Sequence, residues 1–579
     1  MTFNKNKYLI SINNNQIYIE NNLNDTEKEN DIFKYLWNLR HRNNNNKYSF
    51  YTFFENICED IKGLEGAIDL FIDMIKNGKK VGIIGDYDVD GTIATSILVK
   101  FFNYLQKYIE FPYTYHIPNR FKEGYGPSIF SINHLKEQNV NLIITVDSGS
   151  TSFEEIKLAN ELKMKSIILD HHNIQSKIPD ATYFINNQNS NKFKYLCGGG
   201  LAFVFIYKAN EKLKKIIRNY EGFSILSILD LVAVSTICDF VPLIDLNRSI
   251  VYYGMKIINY KYLQHEKKIN NGLDIILQYS FYNYNQNTYI SSVDIGFAIG
   301  PYINVAGRLE DANIIVKFLT TEDQKELENI FIILQKLWAN RKKIQEDILL
   351  NIEGFHKKSL LDNKFILIYD ENIHEGIMGI IAAKLKEKYN KPTIIINVKD
   401  GIGKGSIRSI GEFHAGKFIE KIVEKNILIK GGGHEAAGGF SIDIKNIEKL
   451  FHSLEIYTQD LIFNNYKEYY VDHILNLYGL NKNFYEQIQG IGPFGVGNKE
   501  LLFSFPFLII KKIYIFANQH LNITFYNITE DKKIKGIWFF PPEKFFENII
   551  IGEIVNVIGY IKYINNNIEI YIVDIVKES

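Results

Sequence analysis

Between Lys80 and about Asp170, short apolar runs alternate with helical stretches: "VGIIGD", "IATSILVKFFNYLQKY", "NLIITVDSGS", "EEIKLANELKM" and "SIILDHH". Strand, helix, strand, helix, strand without hairpin turns predicts βαβ units and a parallel sheet. Three of these apolar strands end at or beside an acid, Asp86, Asp147 and Asp170. Sites in open parallel sheets form at the carboxyl ends of strands, so the three acids are expected to converge. A mostly helical region follows from Leu201 to about Tyr282. The charged amphipathic run from Asp323 to Phe355, containing "KLWANRKKIQEDILLNI", predicts a long helix between domains. A second α/β unit starts at "KFILIYD", includes the strand "TIIIN" and runs to about Ile444, its end marked by "GGGHEAAGG". From about Gly492 the chain turns to short β-rich runs, "LLFSFPFLIIKKIYIF", "LNITFYN", "KIKGIWFF", "IVNVIGYIKYI" and "IEIYIVDI", which predict a small barrel. No repeat at solenoid spacing is present.

The 579 residues suggest about four domains. Lys+Arg and Asp+Glu both number 66, so any case for a polyanionic partner rests on local placement. Three cysteines, Cys58, Cys197 and Cys238, without a C-x-x-C, argue against a disulfide framework or a thiolate zinc site and for a reducing compartment. The N-terminal stretch has no apolar run of signal-peptide length, so a cytoplasmic protein is expected. The most apolar window, Ile225 to Ile244, is interrupted by Asp230, Asp239 and Pro242, which makes it a buried core helix ending in a functional loop, not a membrane span. The Asn-rich patch Asn43 to Lys47 reads as loop.

"GDYDVDGT" places Asp86, Asp88 and Asp90 at every second position and follows them with Gly91. An EF-hand calcium loop begins this way, but it needs a preceding helix and a glutamate at its twelfth position; here a strand precedes and Ile97 stands there. Alternating carboxylates at a sheet edge repel one another unless a cation neutralises them, whereas a solvated acidic turn is the alternative for this motif alone. Taken singly, Asp147 reads as a helix N-cap, His171 and His172 as surface residues, and Asp239 as structural. Together, acids and imidazoles from three strand ends suit Mn²⁺ or Mg²⁺.

In order, "GDYDVDGTIAT", "ITVDSGS", "LDHH" and "DLVAVSTICDFVPL" resemble the four motifs of the DHH phosphoesterase superfamily. "IGPYINVAGR", "HEGIMGIIAAKLKEKYNKPTIII", "GKGSIRS", "GGGHEAAGGFSI" and "PFGVGN" narrow the resemblance to its RecJ family of single-strand-specific DNA exonucleases, over roughly residues 60 to 579. The resemblance implies an α/β fold: a parallel-sheet DHH domain joined by a long helix to a smaller α/β DHHA1-like domain, with a C-terminal OB-fold barrel. The expected boundaries are an N-terminal segment 1–60, the DHH domain with its helical extension 61–322, the linker helix 323–355, the DHHA1-like domain 356–455 and the OB-fold 456–579.

It also implies two divalent cations, Mn²⁺ or Mg²⁺, held by Asp88, Asp90, Asp147, His171 and Asp239, with Asp86 a ligand or close support and Asp147 the bridging carboxylate. His172 would face the scissile phosphate and Asp170 would orient an imidazole. Asn304 and Arg308 match the phosphate-contacting segment, although Arg308 alone reads as a surface ion pair. Ser406, Arg408 and Ser409 in "GSIRS", with His434 in the glycine-rich run, lie where close backbone approach and a bidentate arginine suit a phosphate; an ordinary αβ turn is the alternative. Ser406 and Arg408, with Arg120 in "IPNRFKEGYG", are the candidates for seating a terminal 5′ phosphate. Tyr514, Phe516, Phe525 and Trp538 are either base stackers or barrel core.

The implied activity is metal-dependent 5′-to-3′ hydrolysis of single-stranded DNA to mononucleotides, in DNA repair and recombination. Alternatives are a DHH phosphodiesterase for short oligonucleotides or cyclic dinucleotides, and a catalytically silent single-strand-binding relative. Expected partners are single-stranded DNA, a single-strand-binding protein and a helicase, with no membrane and a monomeric state. Three positions depart from the family pattern: Tyr302 where arginine is usual, Asn187 where a proline follows Asn186, and Ile373 where tryptophan is usual.

Overall fold

The computed structural model describes the chain from residue 57 onward except 264–270, 282–288, 356–359, 361, 462, 464–466, 518–519, 542–548, 565 and 578–579, and describes 9–11, 13, 15–19, 32, 34 and 36 nearer the start. The Asn-rich patch and most of the N-terminal segment therefore lie outside the described residues. The chain forms two compact units: Met1–Asn304 with Asp311–Phe331 and Glu468–Ser579, and Val305–Glu310 with Ile332–Lys467.

In the first unit, strands β1 (Leu9–Ile10) and β2 (Gln16–Ile19) precede a five-stranded parallel sheet. That sheet contains β3 (Val81–Ile84), β4 (Tyr113–His116), β5 (Leu142–Val146), β6 (Lys165–Asp170) and β7 (Tyr183–Asn186), in the order β4-β3-β5-β6-β7. All residues of β3 and β5 are buried, as expected for strands covered by helices on both faces. Phe71, Phe101, Phe102, Phe203 and Phe205 fill the helical layers around this sheet. The apolar window of the sequence folds as the buried helix Leu229–Cys238, ending at Asp239. Among the described residues no helix is long and apolar enough to cross a membrane.

The long helix is present as Gln324–Phe355. The second unit carries β8 (Ile366–Asp370), β9 (Thr393–Lys399), β10 (Ile402–Arg408), β11 (Leu428–Gly433) and β12 (Ala437–Asp443), in the order β11-β12-β10-β9-β8. Only β8 and β9 pair in parallel; the other neighbours are antiparallel. The glycine-rich run is thus neither an αβ turn nor a loop: it is the β11–β12 hairpin. Glycine is required there because a Cβ on Gly433 would come within 2.5 Å of Gly438 Cα across the ladder.

The first unit resumes with β13 (Glu468–Val471), which pairs with β2, and β14 (His473–Ile474). It then forms the barrel from β15 (Phe503–Phe516), β16 (His520–Asn527), β17 (Lys532–Phe539), β18 (Ile554–Ile564) and β19 (Asn567–Lys577), closed by β15–β18 pairing. Phe525 and Trp538 are barrel core, whereas Tyr514 and Phe516 are exposed. Ser11 Oγ, Asn13 Nδ2 and Asn15 Nδ2 donate to the buried Asp574 carboxylate at 2.6, 2.7 and 2.6 Å, tying the first strands to β19.

Candidate metal centre and phosphate-binding residues

The carboxyl ends of β3, β5 and β6 bring the predicted acids and histidines together. Asp86, Asp90, Asp147 and Asp170 are each at most 2% exposed. Asp88 caps the helix Val89–Leu105, its side chain accepting from Gly91 N at 3.1 Å. Gly91 lies inside the first turn, where a Cβ would stand 2.5 Å from Asp86 N; it permits close packing of helix on strand end. Asp147 is not a helix cap. It follows β5 with φ of 59°, in the left-handed region, and such outliers concentrate at functional sites.

His171 Nε2 lies 3.0 Å from Asp147 Oδ1, 3.6 Å from Asp90 Oδ2 and 3.7 Å from Asp239 Oδ2. Three overlapping groups have ligand atoms within 4.8 Å of one another and could hold a metal ion: Asp147, His171 and His172; Asp90, His171 and Asp239; and Asp86, Asp88 and Asp147. Buried Asp86 Oδ1 and Asp239 Oδ2 have no hydrogen-bond partner among the described residues, so the donor set fits divalent cations that would satisfy them. Burial, then the neighbouring carboxylates, push the Asp86, Asp88 and Asp147 carboxyls above the ordinary range and Asp239 up to about 9. A cation would remove that penalty.

Asp170 behaves differently. Burial opposes its ionisation, yet the hydrogen bond and charge of His172, with the charge of His171, hold it below the ordinary range. Its Oδ1 is 2.8 Å from His172 Nδ1, and its Oδ2 accepts from Ser150 N at 2.8 Å. Burial opposes protonation of His172, but Asp170 outweighs it and raises the imidazole pKa. Burial lowers that of His171. The two histidines are therefore set in opposite directions, as a ligand and an acid require.

Several supports were not found from sequence. Gly198 N and Gly199 N, at the start of the helix Gly198–Ile216, donate to Asp90 at 2.6 and 2.8 Å, and Ser235 Oγ also donates to Asp90. A Cβ on Gly198 would stand 2.6 Å from Asp147 Cβ, so "CGGG" lets a positive helix end approach the acids. Tyr125 Oη donates to Asp147 O at 2.8 Å and lies 2.9 Å from His172 Nδ1. The signals in sequence were the three glycines opening an apolar helix and the tyrosine of "EGYG".

The phosphate candidates are distributed over both units. Arg120 stacks over Tyr87, its guanidinium 5.0 Å from the ring centroid, and its charge acts on Asp86. Asn304 is half-buried in the helix Gly300–Leu309. Arg308, in the second unit, donates to Gly376 O at 3.2 Å. Arg408, at the end of β10, donates to Ser406 Oγ at 3.2 Å and Ile407 O at 2.8 Å. A Cβ on Gly379, in the first turn of the helix Met378–Tyr389, would stand 2.6 Å from Arg408 Nη2; this glycine, also missed, lets the guanidinium pack against the helix start. Ser409 Oγ donates to Phe413 O, and His434 is exposed in the hairpin. Tyr302 is buried among Tyr279, Phe331 and Phe318 rings and so packs into the core. Asn187 is buried and donates to Phe193 O, Lys194 O and Leu196 O, bracing the segment before Cys197.

Family models match in chain order: the DHH family, N-terminal domain, over residues 80–236; the DHHA1 domain over 362–460; and the RecJ OB domain over 471–570. The single-stranded-DNA-specific exonuclease RecJ of Haemophilus influenzae is 30% identical over 477 residues, which cover 79% of this chain and 80% of that protein. The chain belongs to the RecJ family. The RecJ of Escherichia coli, carrying the same description, is 28% identical over 83% of this chain and 84% of that protein. A crystal structure of exonuclease RecJ bound to manganese matches with a TM-score of 0.56 and 28% identity, covering 70% of this chain and 96% of that one. RecJ of Thermus thermophilus in complex with Mn²⁺ matches in fold with a TM-score of 0.73 at 24% identity, over 90% of this chain and 72% of that one. The parallel-sheet, DHHA1 and OB-fold architecture expected from the sequence is the architecture of this RecJ family member.

Proposed function

We propose that the protein is a metal-dependent exonuclease that hydrolyses single-stranded DNA from the 5′ end to mononucleotides, in DNA repair and recombination. The observation that carries this reading is the convergence of Asp88, Asp90, Asp147, His171 and Asp239 at one sheet edge, with two buried carboxylate oxygens lacking hydrogen-bond partners among the described residues. Two divalent ions, Mn²⁺ or Mg²⁺, would supply water activation on one side of the phosphodiester and charge stabilisation on the other. Asp147 belongs to two of the three ligand groups, which suits a shared carboxylate. Asp90 is held rigid by Gly198 N, Gly199 N and Ser235. Asp170 holds the Nδ1 proton of His172, leaving Nε2 to meet a phosphate oxygen as a donor when the ring is charged.

Arg120, Asn304, Arg308, Ser406, Arg408, Ser409 and His434 are proposed to contact the DNA backbone, with Arg120, Ser406 and Arg408 seating the 5′ phosphate and so setting polarity. The packing of the Arg408 guanidinium against Gly379, in the first turn of the helix Met378–Tyr389, supports this, because arginine and a helix start both favour an anion. The domain limits proposed are 61–322, 323–355, 356–455 and 456–579, and the order of the family matches supports them. We also propose cytoplasmic action, supported by three free cysteines, as a monomer working with a single-strand-binding protein and a helicase, supported by the family resemblance.

Purified protein with Mn²⁺ is expected to release mononucleotides from 5′-phosphorylated single-stranded DNA and to spare blunt duplex. Intact substrate after prolonged incubation overturns the enzyme reading; release beginning at the 3′ end overturns the polarity.

A further inference from the structure

Phe240 directly follows Asp239, whose carboxylate reaches His171 in the candidate metal centre. The helix Leu229–Cys238 ends there, with Asp239 as its cap and Phe240 N donating to Ile237 O at 3.3 Å. Phe240 has φ of 56°, the left-handed conformation that a helix end ordinarily assigns to glycine. A bulky residue is a genuine outlier in that region. Packing does not repay the strain, because Phe240 is 74% exposed. The chain therefore holds an aromatic ring in a strained conformation, in solvent, one residue from a candidate metal ligand. Strained residues persist where they contribute to function.

We infer that Phe240 is a base-stacking residue: its ring packs on the nucleobase next to the phosphodiester held at the metal centre. A phosphate held by the cations that Asp239 and its partners would bind places a base within reach of the neighbouring side chain, and every nucleobase offers a π face to an aromatic ring. Such a contact reads no sequence, which suits an enzyme that must consume any strand. The ring positions the terminal nucleotide and does not touch the reacting atoms. The inference rests on the single-strand exonuclease reading above.

The test uses the full-length protein and 5′-phosphorylated single strands that carry either normal bases or abasic sites at the first two nucleotides. Phe240→Gly removes the ring and relieves the left-handed strain, so its thermal midpoint is expected to match or exceed wild type. Its KM for the base-bearing strand is expected to rise about 10-fold, with kcat little changed. On the abasic strand, wild type and Phe240→Gly are expected to be equal, and Phe240→Trp is expected to retain the wild-type preference for bases. Binding measured by fluorescence anisotropy with Ca²⁺ in place of Mn²⁺ should show the same loss of base preference, independently of turnover. Equal weakening on both strands, or no change on either, overturns the stacking role. A lowered thermal midpoint in Phe240→Gly would mean the ring is structural and overturns it as well. A wild-type protein that neither binds nor degrades single strands would instead sink the exonuclease reading.

Discussion

The candidate metal centre and the Arg408 corner, as proposed, present opposite solutions for holding a phosphodiester anion. At the centre, burial and then neighbouring carboxylates raise the pKa values of Asp86, Asp88, Asp147 and Asp239, so the site is unfavourable until cations enter. At the corner, one half-buried guanidinium is held by Ser406 Oγ and a backbone carbonyl and packs against Gly379. The first site gains its selectivity from assembled negative charge that demands a metal; the second needs one positive charge. Substitutions should therefore act on turnover at the centre and on strand-end recognition at the corner.

The largest separation is expected from Asp147→Asn. Removing a shared ligand forfeits several kcal/mol of charge stabilisation, corresponding to a fall in kcat of about 10³-fold or more. Strand binding in EDTA should remain within about twofold of wild type. Retained turnover in a Mn²⁺ assay would place the active centre elsewhere.

Ser235→Ala probes the support beneath the centre without replacing a candidate ligand. Loss of its hydrogen bond to Asp90 is expected to weaken Mn²⁺ activation by about 10- to 100-fold, the usual consequence of removing a partner of a ligand. A titration of initial rate against Mn²⁺ should show a raised half-saturating concentration with a largely recovered maximum. An unchanged titration would mean the two glycine amides alone hold Asp90.

Arg408→Ala tests the other side of the comparison. Losing a charge-assisted contact is expected to reduce the preference for 5′-phosphorylated over 5′-hydroxyl strands by about 10-fold, with little effect on Mn²⁺ dependence. Equal losses on both strands would remove Arg408 from the terminal-phosphate role.

The same contrast explains what the sequence made legible. Asp86, Asp147 and Asp170 could be read because a parallel sheet gathers the ends of its strands, so local patterning foretold a distant meeting. Ser235 and Gly198 could not, since they reach Asp90 across 145 and 108 residues and their own neighbourhoods read as ordinary apolar helix. The β11–β12 hairpin escaped for a different reason: glycines erase the side-chain alternation that marks a strand. Likewise no sequence pattern assigns a role to Ser11, Asn13 and Asn15, and only Asp574, 563 residues beyond Ser11, shows what they hold.

The smallest expected effect concerns stability, and its sign distinguishes a charge-strained centre from a neutral one. Asp239 is pushed up to about 9 and Asp86 and Asp147 well above the ordinary carboxyl value, first by burial and then by one another's charge. Carboxyls raised on folding bind protons more tightly in the folded state, so their contribution is fully present below the ordinary range and is lost as pH rises through the folded pKa. Asp170 is lowered, so its contribution is constant at neutral and alkaline pH. Between pH 7.5 and 9 the pH approaches the raised Asp239 value, and this acid contributes to the slope. The metal-free protein should therefore lose thermal stability across this window, by on the order of a few degrees. Mg²⁺ should restore it, with a gain that grows with pH because the metal replaces the departing protons. A gain independent of pH, or one retained in Asp147→Asn with Asp239→Asn, would mean that the carboxylates are not what the cation relieves.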